Sequence, residues 1–199
     1  MSLISILGIV VFSIASIYFT LKPKKDFNSA FIVSFVTLIS YIIMLQGNFA
    51  ANDLYWTRWL FYGISCPLLC YEISKKIELP TAKTIFNLFL TFIMMILGSL
   101  ASISLGGYKL AYFALSCLAF AALVVNFYKT KSRKLMTITP YVAFGWLIFP
   151  IVFIFSNEGI FNIIPLPIAA AIYLGLDIFT KIIFYIHHSQ VKASGANQV

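Results

Sequence analysis

The chain alternates long apolar runs with short polar interruptions. Most runs approach the roughly 20 residues that an α-helix needs to cross a hydrocarbon core of about 30 Å. Seven runs can be marked out, approximately at residues 2–21, 27–46, 54–74, 81–102, 107–128, 135–156 and 162–187. Only a short stretch, Ser104 to Gly107, separates the fourth from the fifth. The pattern predicts an all-α membrane protein, a bundle of seven transmembrane helices forming one domain over residues 1–199.

Composition supports a membrane protein. Of the 199 residues, 61% are hydrophobic and only 10% are charged, whereas soluble domains average about half and a quarter. We therefore expect a multi-pass protein of the cell membrane, in contact with the lipid bilayer. The first run, residues 3–21, has neither a preceding basic region nor a small-residue cleavage pattern, so we expect a retained span. The three cysteines lie within apolar runs and predict neither a disulfide framework nor a metal site.

The net charge of +8 reports loop orientation in a membrane protein and does not predict a nucleic-acid partner. Most basic residues fall in one set of connections: Lys22, Lys24, Lys25, Lys75, Lys76, Lys83, Lys129, Lys131, Arg133, Lys134 and Lys192. The opposite side has Lys109 and, just inside a helix, Arg58. Because cytoplasmic loops retain Lys and Arg, we expect the amino terminus outside and the carboxyl terminus in the cytoplasm.

The last apolar run contains an acid and an amine. Asp177 and Lys181 are four residues apart, so they share one helix face about 6 Å apart along the axis. Ionisable residues inside a membrane are costly and usually face a bundle interior or a water-filled cavity, which makes this pair a functional-site hypothesis. The alternative is a structural pair that neutralises itself and fixes helix packing.

The third run has a polar stripe. Arg58, Ser65 and Glu72 are spaced by seven, so they stay on one narrow face over roughly 20 Å of depth. Phe61 falls on the same stripe and interrupts it with an apolar ring. The alternative is that Arg58 and Glu72 reach opposite interfaces with their flexible chains, and that Ser65 bonds its own backbone.

The sixth run has aromatic residues near mid-membrane. Trp146 and Phe149 are three apart and precede Pro150, which would free a backbone carbonyl and kink the helix. They could line a pocket for a long conjugated ligand. Packing in the core or at the membrane interface is the alternative, since such aromatics are common there.

Together these motifs resemble the microbial rhodopsins over nearly the whole chain. Asp177 and Lys181 match the family's Asp-x-x-x-Lys, and Trp146, Phe149 and Pro150 match its Trp-x-x-Tyr-Pro with Phe in place of Tyr. The third run aligns on its Arg and its Pro-Leu-Leu. The resemblance implies all-trans retinal bound to Lys181 as a protonated Schiff base, Asp177 as counterion, a homotrimer, and no enzymatic activity. It further implies that Tyr41 lies near the counterion, and that the residues in contact with retinal are Tyr41, Tyr62, Pro67, Met94, Trp146, Phe149 and Pro150.

The departures from the family pattern indicate a subfamily. Outward proton pumps carry Asp-Thr-Asp or Asp-Thr-Glu where this chain has Phe61, Ser65 and Glu72. That triplet, the adjacent Cys66 and the short chain resemble the schizorhodopsins, which implies a light-driven inward proton pump.

The charges favour the same direction. With Phe61 in the third run, Asp177 is the only strong candidate for a counterion, on the outer side of Lys181. A carboxylate next to both a Lys181 cation and Arg58 would be a poor proton acceptor. Glu72, near the inner mouth, would attract or pass the proton, and a new proton would enter from outside past Arg58.

Three other functions remain as alternatives. A sensory photoreceptor would use the same light response to signal to a membrane partner. A retinal-free seven-helix transporter or scaffold would use Lys181 and Asp177 as a structural pair. An ion channel is less favoured, because no ring of acidic residues lines the outer half.

Overall fold

The structure, a computed structural model, describes residues 2–21, 27–49, 56–130, 138 and 140–187. This part of the chain forms seven helices in succession. The first five are α1 (Ser2–Leu21), α2 (Phe27–Phe49), α3 (Thr57–Lys76), α4 (Thr81–Ile103) and α5 (Gly106–Tyr128). Helix α6 has a π-helical part, Pro140–Trp146, followed by an α-helical part, Leu147–Phe155. Helix α7 is α-helical over Leu166–Asp177 and π-helical over Ile178–Ile183.

The helices form a closed bundle. From α1 to α5, each helix packs against the next along the chain; α6 packs on α7, and α7 also contacts α1 and α2. The outside of the bundle is apolar, with Leu3, Ile14, Phe86 and Leu118 all more than half exposed. Five of the described helices are long and apolar enough to cross a membrane. An apolar exterior around buried polar residues is the arrangement that a bilayer requires.

The predicted and observed helix ends differ most at α7. The sequence pattern predicts a start at residue 162, whereas the helix begins at Leu166. The preceding segment folds back on α6, where the backbone N–H groups of Ile163 and Ile164 donate to the carbonyl of Phe155 at 2.8 and 2.7 Å. Pro165 then precedes the helix with φ −57° and ψ 145°, a conformation outside the helical region. The start of the predicted sixth span, residues 135–137, lies outside the described residues.

The two π-helical parts pack against each other. In α6 the π-helical part ends at Trp146, whose carbonyl Pro150 cannot bond because it lacks an N–H. In α7 it begins at Ile178 and includes Lys181. A Cβ added to Gly145 would lie 2.5 Å from Cγ2 of Thr180, so the close approach of these helices requires glycine there. A π-helical turn rotates the side chains that follow it along the helix. Both π-helical parts therefore affect which side chains face the bundle interior.

Candidate functional site

Asp177 and Lys181 form an ion pair in the middle of the bundle. The Nζ of Lys181 lies 2.8 Å from Oδ1 of Asp177, and both side chains are 1% exposed. Burying two charges is costly unless they are paired and their remaining hydrogen-bonding groups find partners. The surroundings of the pair supply such partners from two other helices.

Two tyrosines contact the second oxygen of the carboxylate. The hydroxyl of Tyr41, on α2, donates to Oδ2 of Asp177 at 3.0 Å, and the hydroxyl of Tyr62, on α3, donates to the same oxygen at 2.8 Å. An ionised carboxylate only accepts hydrogen bonds, so two hydroxyl donors and a cation suit its charged form. Helices α2, α3 and α7 therefore meet at Asp177.

Lys181 has two further contacts. Its Nζ donates to Oγ1 of Thr37, on α2, at 3.2 Å. It also lies 3.8 Å from the centroid of the Tyr62 ring, within the range of a cation–π interaction. The amine is thus bounded by a carboxylate, a neutral hydroxyl and an aromatic face.

None of the described hydrogen bonds or ion pairs joins Arg58 to Asp177. Its guanidinium lies over the ring of Tyr173, with 4.5 Å from Cζ to the ring centroid, and donates to the sulfur of Met44 at 3.5 Å. The reason is helix register: Arg58 is four residues before Tyr62, and Tyr173 is four residues before Asp177. Arg58 and Tyr173 therefore form a layer one turn beyond the layer in which Tyr62 holds Asp177. Arg58 is 2% exposed, so it does not extend to the membrane surface.

The polar stripe predicted on α3 lies inside the bundle, but Phe61, which interrupts it, is less buried than the polar residues. Ser65 is fully buried and Glu72 is 8% exposed, but Phe61 is half-buried. The residue that contacts the ion pair is Tyr62, the next position along the chain.

Glu72 is held at the other end of α3. The hydroxyl of Ser29, on α2, donates to Oε1 of Glu72 at 2.6 Å. Because the carboxyl group is buried and has a hydroxyl partner, Glu72 does not extend to the membrane surface as the alternative interpretation required. A cluster of buried apolar side chains, which includes Leu69, Ile73 and Trp146, fills the same half of the bundle.

A cavity that is partly open to the outside of the bundle reaches Lys181. Helices α3 to α7 line it, mainly with aromatic and other apolar side chains. The lining residues are Trp59, Tyr62, Cys66, Met94, Met95, Gly98, Phe113, Ser116, Cys117, Phe120, Trp146, Phe149, Pro150, Phe153, Thr180 and Lys181. A buried amine in such a lining suits a long apolar aldehyde, because the amine supplies the covalent link and the rings pack against a conjugated chain.

Most of the residues predicted to contact retinal line this cavity, but two do not. Tyr62, Met94, Trp146, Phe149 and Pro150 belong to the lining. Tyr41 instead contacts Asp177, because its position on α2 brings its hydroxyl to the carboxylate. Pro67 is half-buried within α3 and does not line the cavity, since Cys66 is the residue of that turn that faces it.

Several residues of the site were missed by sequence reasoning. Trp59, Phe153 and Thr180 line the cavity, Tyr173 lies under Arg58, and Thr37 contacts Lys181. A signal for Thr37 exists, because it precedes Tyr41 by one helical turn and so shares its face. No comparable signal separates Trp59 or Phe153 from the many aromatic residues that pack in the core.

Known proteins are similar to this chain over most of its length. The family model described as bacteriorhodopsin-like protein matches residues 1–191. Bacteriorhodopsin of Haloterrigena sp. (strain arg-4) is 27% identical over 207 aligned positions, which cover 89% of this chain and 82% of that protein. The crystal structure of schizorhodopsin 4 is 37% identical, with a TM-score of 0.87 over 94% of this chain and 97% of that one.

A bromide-bound halorhodopsin of Halobacterium salinarum has the same fold, with a TM-score of 0.86 over 99% of this chain and 95% of that one, at 18% identity. The family model covers nearly the whole chain, and the buried lysine with its carboxylate and aromatic cavity suits the family's cofactor. The chain therefore belongs to the bacteriorhodopsin-like family: it is a microbial rhodopsin, a retinal-binding membrane protein of the light-driven ion pumps and not an enzyme.

Proposed function

We propose that this protein is a light-driven pump that moves protons inward across the cell membrane. The observation that supports the direction is the set of contacts around Asp177, which has the Lys181 cation and two tyrosine hydroxyls as partners. Lys181 would hold retinal as a protonated Schiff base, and the bound cofactor would supply light absorption and an isomerisation that turns the nitrogen–proton bond of the lysine. The residues of the chain then decide on which side that proton leaves.

Asp177 is a poor destination for the proton. Protonating it would neutralise the anion that balances Lys181 and weaken two hydrogen bonds to a charged acceptor, each of which contributes about 1.5–3 kcal/mol. Phe61 stands where outward pumps of the family carry a carboxylate, so α3 offers no second acceptor at that position. Proton loss toward the outer side is therefore disfavoured.

Glu72 is the acidic group that favours loss of the Lys181 proton toward the inner side of the membrane. In the orientation that we propose, with the amino terminus outside, α3 runs inward and Glu72 lies near its inner end, within a turn of Lys75 and Lys76. Its carboxylate attracts a proton that leaves Lys181, and the Ser29 hydroxyl holds the carboxyl group in place. Ser65 and Cys66, both buried, lie on α3 between the ion pair and Glu72.

A new proton reaches Lys181 from outside, past Arg58. The guanidinium of Arg58 lies one turn outward of the ion pair and is held by Tyr173 and Met44. The similarity to schizorhodopsin 4 and the Phe61, Ser65, Glu72 triplet also support this proposal. Following the same resemblance, we propose a homotrimer, which crosslinking in native membranes would test.

Light-induced pH changes in intact cells test the direction. Cells that contain the protein and retinal are suspended in weakly buffered medium, illuminated, and followed with a pH electrode. We expect the medium to become more alkaline and a protonophore to abolish the signal. Acidification of the medium would refute the proposal, and the absence of any pH change together with a slow light response would favour the sensory alternative.

A further inference from the structure

Three hydroxyl groups of α2 contact the charged groups of the site. Ser29, Thr37 and Tyr41 all lie on the side of α2 that faces the bundle interior. Each hydroxyl contacts a different charged group: Ser29 donates to Glu72, Thr37 accepts from Lys181, and Tyr41 donates to Asp177. Among these three hydroxyls, only Thr37 contacts the nitrogen itself.

The hydroxyl of Thr37 is oriented by its own helix. Its Oγ1 donates to the carbonyl of Val33 at 2.7 Å, and the side chain is 1% exposed. Since the single hydroxyl proton is used in that bond, the lone pairs of Oγ1 are left to accept, and Nζ of Lys181 donates to them at 3.2 Å. Thr37 is therefore an oriented hydrogen-bond acceptor.

The backbone of Thr37 lies inward of Tyr41, the α2 residue that contacts Asp177, in the proposed orientation. Tyr41 contacts Asp177, and Thr37 is one turn, about 6 Å, before Tyr41 on α2. In the proposed orientation α2 runs outward, so the backbone of Thr37 is inward of that of Tyr41. The Lys181 nitrogen thus has two acceptors: a charged one on Asp177, and a neutral one on Thr37, whose backbone lies one turn of α2 inward of Tyr41.

We propose that Thr37 is a positioning residue for inward transport. When light turns the nitrogen–proton bond of Lys181 away from Asp177, Oγ1 of Thr37 accepts it and holds the proton toward the inner half until it leaves toward Glu72. A neutral acceptor suits this role, because it orients the proton without retaining it as an anion would. This inference depends on the proposed inward direction.

Three variants test the role. Thr37→Val keeps the shape and removes the hydroxyl, whereas Thr37→Ser keeps a hydroxyl. The matched control is Thr91→Val, because Thr91 is also fully buried and its hydroxyl also donates to its own helix, to the carbonyl of Asn87 at 2.7 Å. A visible absorption band after retinal is added shows that each purified variant folds and loads.

Two measurements follow. The first is the time course of the blue-shifted absorbance after a flash, which reports loss of the proton from the Lys181 nitrogen. We expect Thr37→Val to slow it about tenfold, the factor for one hydrogen bond of ordinary net strength, and Thr37→Ser and Thr91→Val to stay near the wild type. The second is the infrared light-minus-dark difference spectrum, in which we expect a hydroxyl stretching band that only Thr37→Val lacks.

The outcomes separate this inference from the proposed function. A slowing of less than about threefold in Thr37→Val, an equal slowing in Thr91→Val, or a hydroxyl band that persists without Thr37 would overturn the role of Thr37 while inward pumping stands. Acidification of the medium by the wild-type protein would overturn the proposed function, and with it the inference.

Discussion

Apart from each other, Asp177 has two hydroxyl donors as partners, whereas Lys181 has one hydroxyl acceptor and an aromatic face. Removing either charge should therefore reduce stability by different amounts. In Asp177→Asn the amine loses its carboxylate and keeps only the Thr37 hydroxyl and the face of the Tyr62 ring. In Lys181→Met the carboxylate loses its cation but keeps hydroxyl bonds from Tyr41 and Tyr62. Asn retains an acceptor oxygen for the tyrosines, and Met retains the length of the lysine chain, so both substitutions mainly remove charge.

The expected magnitudes follow from these contacts. Removing one partner of a buried ion pair typically costs about 3–5 kcal/mol of stability, because the other charge is left uncompensated. We expect Asp177→Asn to lose this full amount. Lys181→Met should lose about 1–3 kcal/mol, because bonds from two hydroxyls to a charged acceptor are retained. The double variant should be more stable than Asp177→Asn, because no charge remains buried.

The assay is unfolding of the retinal-free protein in mixed micelles, with helix content followed by circular dichroism as a denaturing detergent is added. Lys83→Met is the control, because it makes the same substitution at an exposed lysine and should change stability by no more than about 0.5 kcal/mol. Equal losses in the two single variants, or a larger loss in Lys181→Met, would refute the reasoning. So would additivity in the double variant, because the two charges would then not interact.

Three further predictions concern colour and transport. Lys181→Ala should abolish the visible absorption band because retinal has no amine to bind, and a band of wild-type intensity would refute the assignment of Lys181. Glu72→Gln should keep the visible band but slow alkalinisation of the medium at least about tenfold, since positioned proton-transfer groups contribute roughly 10²–10⁴-fold; pumping at the normal rate would show that Glu72 is misassigned. Phe61→Asp adds a carboxylate to α3 and should shift the absorption maximum and slow inward pumping severalfold, without necessarily reversing it; an unchanged spectrum would show that position 61 is too far from the Lys181 nitrogen to affect it.

The sequence is most informative at charged residues inside apolar runs. Asp177 and Lys181 could be paired from their spacing alone, because positions four apart must share a helix face. Burial of Glu72 could not be predicted in this way, because a carboxylate near a helix end can either reach the interface or turn inward. The hydroxyl of Ser29, on another helix, is what holds it inside.

The contacts of Arg58 could not be predicted for a related reason. Its position on α3 determines its depth but not its partner, which depends on how α3 and α7 align with each other. The observed register places the ring of Tyr173 beneath the guanidinium. It also brings the hydroxyls of Tyr41 and Tyr62 within hydrogen-bonding distance of Asp177. Among the described residues, the hydrogen bonds to the second oxygen of the carboxylate therefore come from two tyrosines.

The sequence by itself determined the membrane-spanning pattern, the buried acid and amine, and the family resemblance, because hydrophobic length and residue spacing along a helix are local properties of a chain. Only the tertiary structure decided which side chains from different helices meet. The contact between Thr37 and Lys181 shows the difference, since 144 residues separate the two positions. That contact depends on the rotation and depth of two packed helices, which periodicity within either helix leaves open.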